Sequence, residues 1–453
     1  MRFDPWAPLL RHIVQPLYYA RHRDARFHRL RELEKQQWLP RPALQRLQLE
    51  RINVLLRHAY DTTDFYRQRL ADCGIGAGPI ETISQLSAME PVTKSDLQQF
   101  GPSMVSRAYD IDALVKDASG GSTGAPTIFY KDLARHNLRR ADQYRHDRWA
   151  GWNIGDRWAL IWGARKDLID ESNLRERLVD RYLQRCVSLD AFELSEDRMQ
   201  QFSDLLVKFK PKMILGYAGA LDRFAAFLIE NGRTRSIRPA GIVASAECLT
   251  PSMRERIRAA FACPVLNRYG SREVGLIASE CDRAEGLHIN ADNLLVEVVE
   301  DGRAARPGEG GDIVVTDFWN YGMPLIRYNL GDRAVATSDV CSCGRSLPLL
   351  KTIEGRASDF LVSADGTRIH GEFFTHLFYG NPDILQFQFL QTSLDVVTIK
   401  VVPAGASRPD LGDVLDKTRR ILGGQATVAI EVCDSIPATP SGKYRFTISN
   451  VAS

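Results

Sequence analysis

Short apolar runs that alternate with helical stretches, from about residue 155 onward, constrain the fold of this chain most. Residues 158–162, 213–216, 241–245 and 264–267 are such runs, and each is short enough to be a strand. Strands that read as almost continuously apolar are usually covered on both faces by helices. The pattern therefore predicts an α/β fold built on a sheet with covered faces.

Two further sequence patterns follow this region and predict that the chain is divided into domains. Residues 294–299 and 311–316 cluster β-branched side chains around a turn-rich segment, which indicates antiparallel strands of a β-rich subdomain. The strand, helix and strand patterns at 395–402, 411–422 and 427–432 predict a small α+β domain. Because 453 residues exceed one ordinary core, we expect a large N-terminal domain over 1–354, with a helical entry region over 1–75, and a small domain over 355–453.

The charge of the chain, its hydropathy and its cysteines indicate which partners and which cellular compartment to expect. The net charge of +3 is too small to indicate a nucleic-acid partner. No run approaches about 18 uninterrupted apolar residues, and the N-terminus lacks a signal-peptide pattern, so we expect a cytoplasmic protein. The eight cysteines are then expected to be reduced thiols or metal ligands.

Basic residues are concentrated near the N-terminus, around the apolar stretch 13–19. The group consists of Arg11, Arg21, His22, Arg23, Arg26, His28, Arg29 and Arg31. A helix packed on the main domain is the favoured interpretation. The alternative is an amphipathic helix lying on an anionic membrane surface.

A loop rich in hydroxyl groups and glycine is the first candidate for a binding site. It is formed by Ser119, Gly120, Gly121, Ser122, Thr123 and Gly124. Its side chains offer hydroxyl donors, and its glycines let backbone N–H groups approach an anion closely. No Gly-Lys-Ser/Thr sequence ends the loop, so an ordinary P-loop nucleotidase is disfavoured. A plain turn is the alternative.

Cys281, His288, Cys341 and Cys343 form a second candidate site. Three thiols and an imidazole are a common ligand set for zinc, and four protein ligands would make the ion structural. The spacing of Cys341 and Cys343 is tighter than usual, so free cysteines and a solvated histidine remain the alternative.

Several motifs in chain order resemble those of the adenylate-forming superfamily of acyl-CoA synthetases, adenylation domains and luciferases. They are Ser119-Gly-Gly-Ser-Thr-Gly-Ala-Pro126, Tyr269-Gly-Ser-Arg-Glu273, Tyr328-Asn-Leu-Gly-Asp332, Gly355-Arg356 and Gly442-Lys443. Arg327-Tyr-Asn-Leu-Gly-Asp332 and Cys341-Ser-Cys-Gly-Arg345 are similar to the phenylacetate–CoA ligase branch and its relatives in capsular polysaccharide gene clusters. The resemblance spans residues 45 to 447.

The resemblance implies an enzyme that uses ATP and Mg²⁺ to convert a carboxylic acid into an acyl-adenylate. Glu273 matches the family's magnesium-binding glutamate, and a carboxylate is a hard ligand suited to that ion. Asp332 matches the aspartate that binds the ribose hydroxyls, although without the flanking match it reads as a turn residue. The loop 119–124 and the strand residues Tyr269, Gly270 and Ser271 would bind the nucleotide.

The same resemblance gives roles to two cationic residues. Arg356 would lie between the domains near ribose or phosphate, and Lys443 would bridge the attacking carboxylate and the nucleotide. Taken alone, Lys443 would be an ordinary solvated loop charge. Because Lys443 is in the small domain, that domain must be mobile and close over the large one, with a hinge between residues 354 and 359. Ser358 stands where the family usually has an acidic residue or lysine, which leaves the pivot open.

The acid and its acceptor are less constrained by the sequence. Trp162, Tyr217 and residues 244–247 match segments that approach the acyl group, or are simple core, and Arg272 replaces the commoner threonine before Glu273. We expect a hydrophobic or aryl acid and transfer to coenzyme A. An amine or sugar acceptor, and a non-catalytic nucleotide-binding homologue, are the alternatives. A homodimer is left open as an assembly.

Overall fold

The structure is a computed structural model that describes most of the chain between residues 4 and 451. Left out of the description are residues 119–126, 163–178, 192–193, 357–359, 365–367, 371–373, 375–376, 379–380, 382, 406–408, 424–425 and 438–444. The chain divides into two compact units. The first comprises Met1–Leu330 and Ala334–Ile353, and the second comprises Gly331–Arg333 and Glu354–Ser453.

Helices of the first unit begin near the N-terminus and then alternate with strands. They are α1 (Trp6–Leu9), a π-helical segment (Leu10–Val14), α2 (Gln15–Arg21), α3 (Arg26–Gln36), α4 (Arg41–Thr62), α5 (Asp64–Asp72), α6 (Lys94–Met104), α7 (Leu133–Trp149), α8 (Glu196–Phe209), α9 (Ala218–Glu230) and α10 (Pro251–Phe261). Shorter 3₁₀ segments lie at Ile83–Ala88 and Ile111–Ala113, and a second π segment lies at Val179–Gln184.

Several of these helices begin where the sequence supplies a cap. The side chain of Asp132 accepts a hydrogen bond from the backbone N–H of Arg135 at 2.7 Å and so satisfies one free donor at the start of α7. Thr250 caps α10, whose first residue is a proline. Thr93 and Asp96 form a reciprocal capping box at the start of α6.

Twelve of the described strands form one sheet. In chain order they are β3 (Trp158–Trp162), β4 (Cys186–Asp190), β5 (Met213–Tyr217), β6 (Gly241–Ser245), β7 (Val265–Ser271), β8 (Gly275–Glu280), β9 (Leu287–Ile289), β10 (Leu294–Glu300), β11 (Arg303–Ala304), β12 (Gly310–Asp317), β13 (Tyr328–Ala336) and β14 (Leu349–Arg356). Their order across the sheet is β11-β10-β12-β13-β14-β9-β8-β7-β6-β5-β3-β4. A separate hairpin consists of β1 (Val115–Ala118) and β2 (Ile128–Lys131).

The sheet changes character along this order. Strands β3 to β7 pair in parallel, and β7, β8, β9 and β14 pair antiparallel. The strands predicted at 294–299 and 311–316 are present and antiparallel. They continue the same sheet, because hydrogen bonding runs through β13 and β14 back to β9.

Both faces of the parallel part are buried, as an α/β fold requires. In β6, Val243 belongs to one hydrophobic cluster, whereas Ile242 and Ala244 belong to another. Successive residues of a strand point to opposite faces. The prediction of a mixed α/β fold with a small C-terminal domain is confirmed by this arrangement.

The second unit contains a small sheet and one described helix of its own. Its elements are β15 (Phe360–Val362), β16 (Arg368–His370), β17 (Ile384–Ser393), β18 (Val396–Pro403), α11 (Gly412–Ile421), β19 (Thr427–Val432) and β20 (Thr447–Ser449). The four-stranded sheet has the order β19-β18-β17-β20, and β15 pairs with β16. A separate hydrophobic cluster, which includes Phe374, Phe389 and Val397, forms its core.

Within the described residues, no helix combines the length and apolar character needed to cross a membrane.

Candidate functional site

Glu273 lies in the tight turn that joins β7 to β8. Its side chain is buried, and among the described residues its carboxylate forms no hydrogen bond or ion pair. The turn is close-packed, because a Cβ on Gly270 would lie 2.6 Å from the carbonyl oxygen of Gly275. Gly275 itself has φ of +78°, which favours glycine. Both glycines are therefore required for the hairpin that presents Glu273.

Arg135 of α7 anchors this turn from the side. Its Nη2 donates to the carbonyl oxygen of Val274 at 2.5 Å, and its Nε donates to Asp317 at 2.6 Å. Burial raises the pKa of Asp317, although the Arg135 guanidinium opposes that shift. The buried ion pair thus fixes the turn next to Glu273.

The turn projects from the carboxyl edge of the parallel strands. Because β3, β5, β6 and β7 are parallel, their last residues meet at the edge where open α/β sheets bind ligands. There the rings of Trp162 and Tyr217 lie 4.3 Å apart. Ser245 Oγ donates to the carbonyl oxygen of Arg268 at 3.1 Å. The edge therefore combines an aromatic wall with the buried carboxylate of Glu273.

The loop that follows β6 is fixed to the start of α9. Ala246 has φ of +68°, which is uncommon for a residue with a side chain. The carboxylate of Glu247 then accepts a hydrogen bond from the backbone N–H of Gly219 at 2.8 Å. An acidic side chain at a helix N-terminus is favourable. Glu247 therefore stabilises the start of α9, in addition to lying near the carboxyl edge of the sheet.

An ion pair joins the two strands that flank the loop 119–126. Lys131 Nζ, on β2, lies 3.2 Å from Asp117 Oδ2, on β1. Burial, aided by the nearby charge of Arg139, lowers the pKa of Lys131 to about 8. The predicted anion-binding residues Ser119, Gly120, Gly121, Ser122, Thr123 and Gly124 lie outside the described residues. The pair ties together the two ends of that loop.

Asp332 and Arg356 belong to the second unit. Asp332 is half-buried in β13 and follows Gly331, whose φ is +74°. Arg356 is the last residue of β14. Lys443 and the hinge residue Ser358 lie outside the described residues.

Arg327, which begins the motif containing Asp332, has a structural role. It is buried with φ of +49°, and its Nε donates to Glu297 at 3.1 Å. Its Nη1 donates to the carbonyl oxygens of Ser87 and Met89. These contacts fix the chain just before β13.

Cys281, His288, Cys341 and Cys343 meet in the first unit. Their ligand atoms all lie within 4.8 Å of one another. Cys281 Sγ is 3.6 Å from Cys341 Sγ, and Cys343 Sγ is 3.4 Å from His288 Nε2. Tetrahedral zinc with ordinary bond lengths separates two sulfurs by about 3.8 Å and a sulfur from a nitrogen by about 3.6 Å. The arrangement fits such an ion.

Neighbouring groups prepare His288 and Cys343 to bind a metal, whereas burial raises the pKa of the Cys281 and Cys341 thiols. His288 Nδ1 lies 3.4 Å from the carbonyl oxygen of Leu347, which leaves Nε2 free to face the sulfurs. Burial lowers the pKa of His288 to about 4, so its imidazole is neutral at neutral pH. Burial alone would raise the pKa of Cys343, but the N–H of Arg345, 3.4 Å from its sulfur, contributes to lowering it.

The supporting residues of the site are not recognisable in the sequence. Arg135 acts on the hairpin through Asp317, which is 182 positions away. It lies on α7, a helix rich in charged residues, and nothing distinguishes it there from exposed Arg140. The one available signal is the Asp132 cap, which marks where the helix begins.

Comparisons with known proteins agree with this geometry. Residues 361–450 match the family model of the CapK C-terminal domain. Protein CapK of Staphylococcus aureus is 26% identical over 444 residues, which is 96% of this chain and 93% of CapK. The phenylacetate-coenzyme A ligase of Thermus thermophilus is 25% identical over 72% of this chain and 73% of its own length. That of Escherichia coli is 27% identical over 70% and 72%.

Solved structures show the same fold. A 2-hydroxyisobutyryl-CoA ligase in its postadenylation state, in complex with 2-HIB-AMP, superposes with a TM-score of 0.74 at 19% identity, covering 92% of each chain. The O-succinylbenzoate coenzyme A synthetase of Bacillus subtilis, in complex with AMP, gives a TM-score of 0.53 at 17% identity, over 74% of this chain and 69% of the synthetase. This chain is therefore a homologue of CapK and of the phenylacetate-coenzyme A ligases, with the fold of the adenylate-forming ligases.

Proposed function

We propose that this protein is an AMP-forming ligase that activates a carboxylic acid with ATP and transfers the acyl group to coenzyme A. The observation that carries the proposal is the buried carboxylate of Glu273, which has no partner among the described residues and lies at the carboxyl edge of the sheet. A buried carboxylate that is not needed for structure is suited to bind a cation. Homology to phenylacetate-coenzyme A ligases over about 70% of the chain supports it.

In this proposal the chain's own residues bind ATP and neutralise its charge. The loop 119–124 holds the phosphates, and Asp332 accepts hydrogen bonds from the ribose. Mg²⁺ held by Glu273 would offset the negative charge of the phosphates. Lys443 would stabilise the negative charge that develops at the α-phosphorus during attack by the carboxylate.

The proposed acid is hydrophobic or aromatic. Trp162 and Tyr217 form the wall nearest the end of β5, with ring centroids 4.3 Å apart. Tyr217 is buried, and Trp162 is partly exposed. Flat apolar rings favour an apolar or aryl group.

Pyrophosphate release tests the proposal directly. Purified protein is incubated with ATP, Mg²⁺ and a panel of aryl and fatty acids, with and without coenzyme A. We expect acid-dependent release of pyrophosphate and AMP, and a thioester product when coenzyme A is present. If no acid in the panel causes release although ATP binds, the protein is a nucleotide-binding homologue without this activity.

A second candidate function replaces coenzyme A by an amine or a sugar hydroxyl. The resemblance to capsular polysaccharide relatives suggests such an acceptor, and residues 361–450 match the CapK C-terminal domain. CapK is similar along 96% of the chain, whereas the phenylacetate-coenzyme A ligase of Thermus thermophilus is similar along 72%. The same assay separates the two functions, because only the true acceptor accelerates turnover of the acyl-adenylate.

We also propose that the cluster of Cys281, His288, Cys341 and Cys343 holds a structural zinc ion. The distances between the ligand atoms support this proposal, as does the neutral state of His288. With four protein ligands the ion has no position for substrate, so its effect would be on stability.

A further inference from the structure

The first two helices present an apolar stripe to solvent. Trp6, Leu9, Ile13 and Leu17 follow one another at spacings of three and four residues along α1, the π segment and α2. Their exposed fractions are 42%, 37%, 51% and 67%. Residues at these spacings lie on one face of a helix. The stripe is therefore continuous rather than a set of scattered apolar residues.

A second element extends this stripe. Trp6 Nε1 lies 3.3 Å from the carbonyl oxygen of Tyr182, on the π segment Val179–Gln184, and donates to it. The Tyr182 side chain is 56% exposed. The surface formed by Trp6, Leu9, Ile13, Leu17 and Tyr182, which we name the apolar stripe, thus has aromatic side chains at one end. Tryptophan and tyrosine are the residues that favour the boundary between lipid and water.

The opposite face of these helices is fixed to the body of the first unit. Gln15 Nε2 donates to the carbonyl oxygen of Leu183 at 2.6 Å, and Arg11 Nε donates to that of Ile154 at 2.9 Å. The hydroxyl of Tyr19, which is buried, accepts a hydrogen bond from Gln184. These contacts are the ones expected for an N-terminal helix that packs on the main domain. The outward direction of the stripe is therefore set by the fold.

The segment 4–31, which carries most of the stripe, has more cationic than acidic side chains. Both acidic residues among positions 4–31 form ion pairs. Asp4 pairs with Arg157 and Arg185, and Asp24 pairs with Arg26. Arg21 and Arg181 are exposed and form no ion pair with any described residue. The stripe therefore has unneutralised cations beside it.

We infer that the apolar stripe docks this protein on an anionic lipid surface, with Ile13 and Leu17 entering the headgroup region. An exposed apolar helical face beside arginines is typical of helices that lie in the membrane interface. Basic residues near an anionic leaflet add attraction that salt weakens. A second copy of the chain fits less well, because a twofold contact through the stripe would bring the arginines of both copies together. The inference does not depend on the proposed ligase activity.

Vesicle flotation with the full-length protein tests this inference. Vesicles of phosphatidylcholine alone are compared with vesicles that also contain phosphatidylglycerol. We expect the protein to float with the anionic vesicles only, and higher salt to release it. The double variant Ile13→Glu/Leu17→Glu should lower the vesicle affinity about tenfold or more, and Arg21→Gln/Arg181→Gln should lower it severalfold.

Matched control variants lie on α4, where Val54 is 58% exposed and Arg57 is also exposed. Val54→Glu and Arg57→Gln should float as the parent does. Thermal melting and pyrophosphate release separate a docking defect from a folding or catalytic defect. Three results would overturn the inference: a parent that does not bind anionic vesicles, equal binding by the stripe variants, or a dimer in solution that the stripe variants dissociate.

Discussion

Arg135 donates a hydrogen bond to the carbonyl oxygen of Val274, at 2.5 Å, and so holds the residue that directly follows Glu273. The same guanidinium pairs with Asp317 at 2.6 Å. Arg135, in the first turn of α7, thereby helps to set the position of the Glu273 carboxylate, which lies 138 residues further along the chain. The buried ion pair is part of what positions the site.

Replacing Arg135 by methionine should strongly destabilise the first unit. The change leaves the Asp317 carboxylate buried without its cation, a situation that costs about 3–5 kcal/mol. Denaturant unfolding measures the loss. Arg140→Gln, on the exposed side of the same helix, should change the free energy of unfolding by less than about 0.5 kcal/mol. A small effect at Arg135 would mean that the ion pair is not needed to hold the hairpin.

Glu273→Gln should reduce acid-dependent pyrophosphate release by about 10²-fold, because an amide is a weaker ligand for Mg²⁺ and carries no charge. Stability should be unchanged, since no described residue forms a hydrogen bond or ion pair with this carboxylate. Release is measured across a Mg²⁺ titration. Glu255→Gln, at an exposed position on α10, is the control. Activity of Glu273→Gln equal to that of the parent would exclude a role for this carboxylate.

Lys443→Ala should reduce the rate of acyl-adenylate formation by at least about 10²-fold, while ATP binding is largely retained. The reason is that Lys443 is proposed to act on charge that develops during the reaction. Pyrophosphate release and equilibrium ATP binding are measured side by side. Lys417→Ala, on the exposed surface of α11, should leave both unchanged. Unchanged release by Lys443→Ala would remove this residue from the mechanism.

Purified protein should contain about one zinc ion per chain. Chelation, or the substitution Cys281→Ser, should remove the ion and lower the melting temperature, because the remaining side chains of the cluster would be left facing one another without it. Elemental analysis and calorimetry make these measurements. Cys73→Ser, outside the cluster, is the control. Fully folded protein that contains no bound metal would rule the site out.

Lys131 should make stability depend on pH in the alkaline range. Its pKa in the folded protein is about 8, against 10.5 for the free side chain, so the unfolded chain binds more protons between these values. Stability from this residue therefore rises as pH increases from 8 toward 10.5, and is lost as pH falls back through 8. The difference in unfolding free energy between the parent and Lys131→Met isolates this effect. A difference that stays constant with pH would contradict it.

How much the sequence reveals depends on how far apart the interacting residues lie. The strands at 158–162 and 241–245 are recognisable because each is a local apolar run. The continuity of the sheet cannot be recognised in the sequence. It depends on β14 pairing with β9, which lies about 60 residues earlier, with Leu349 opposite His288. Buried charges on α7 are equally hidden. Arg145 pairs with Asp292, which lies 147 positions away. From the sequence alone, each of these charged residues would be predicted to be solvent-exposed.

The candidate site shows the same limit. The four candidate metal ligands could be chosen by type and number, but the pairing of β9 with β14 is what brings them together. Glu273 could be chosen from its motif, whereas its anchor Arg135 could not. Side chains that contact a ligand tend to fall in short motifs, while the residues that position them are spread along the chain.

The order of strands has a consequence for how the protein is made. From β5 to β9, each new strand lies next to the one before it, so the ladder can grow in the order of synthesis. The next neighbour of β9 is β14, which does not leave the ribosome until more than 50 further residues have been added. Cys341 and Cys343 immediately precede β14. The edge of β9 is therefore unpaired in the nascent chain until the last cysteine of the cluster has emerged. Closing that edge and bringing the four side chains of the cluster together then become one late event.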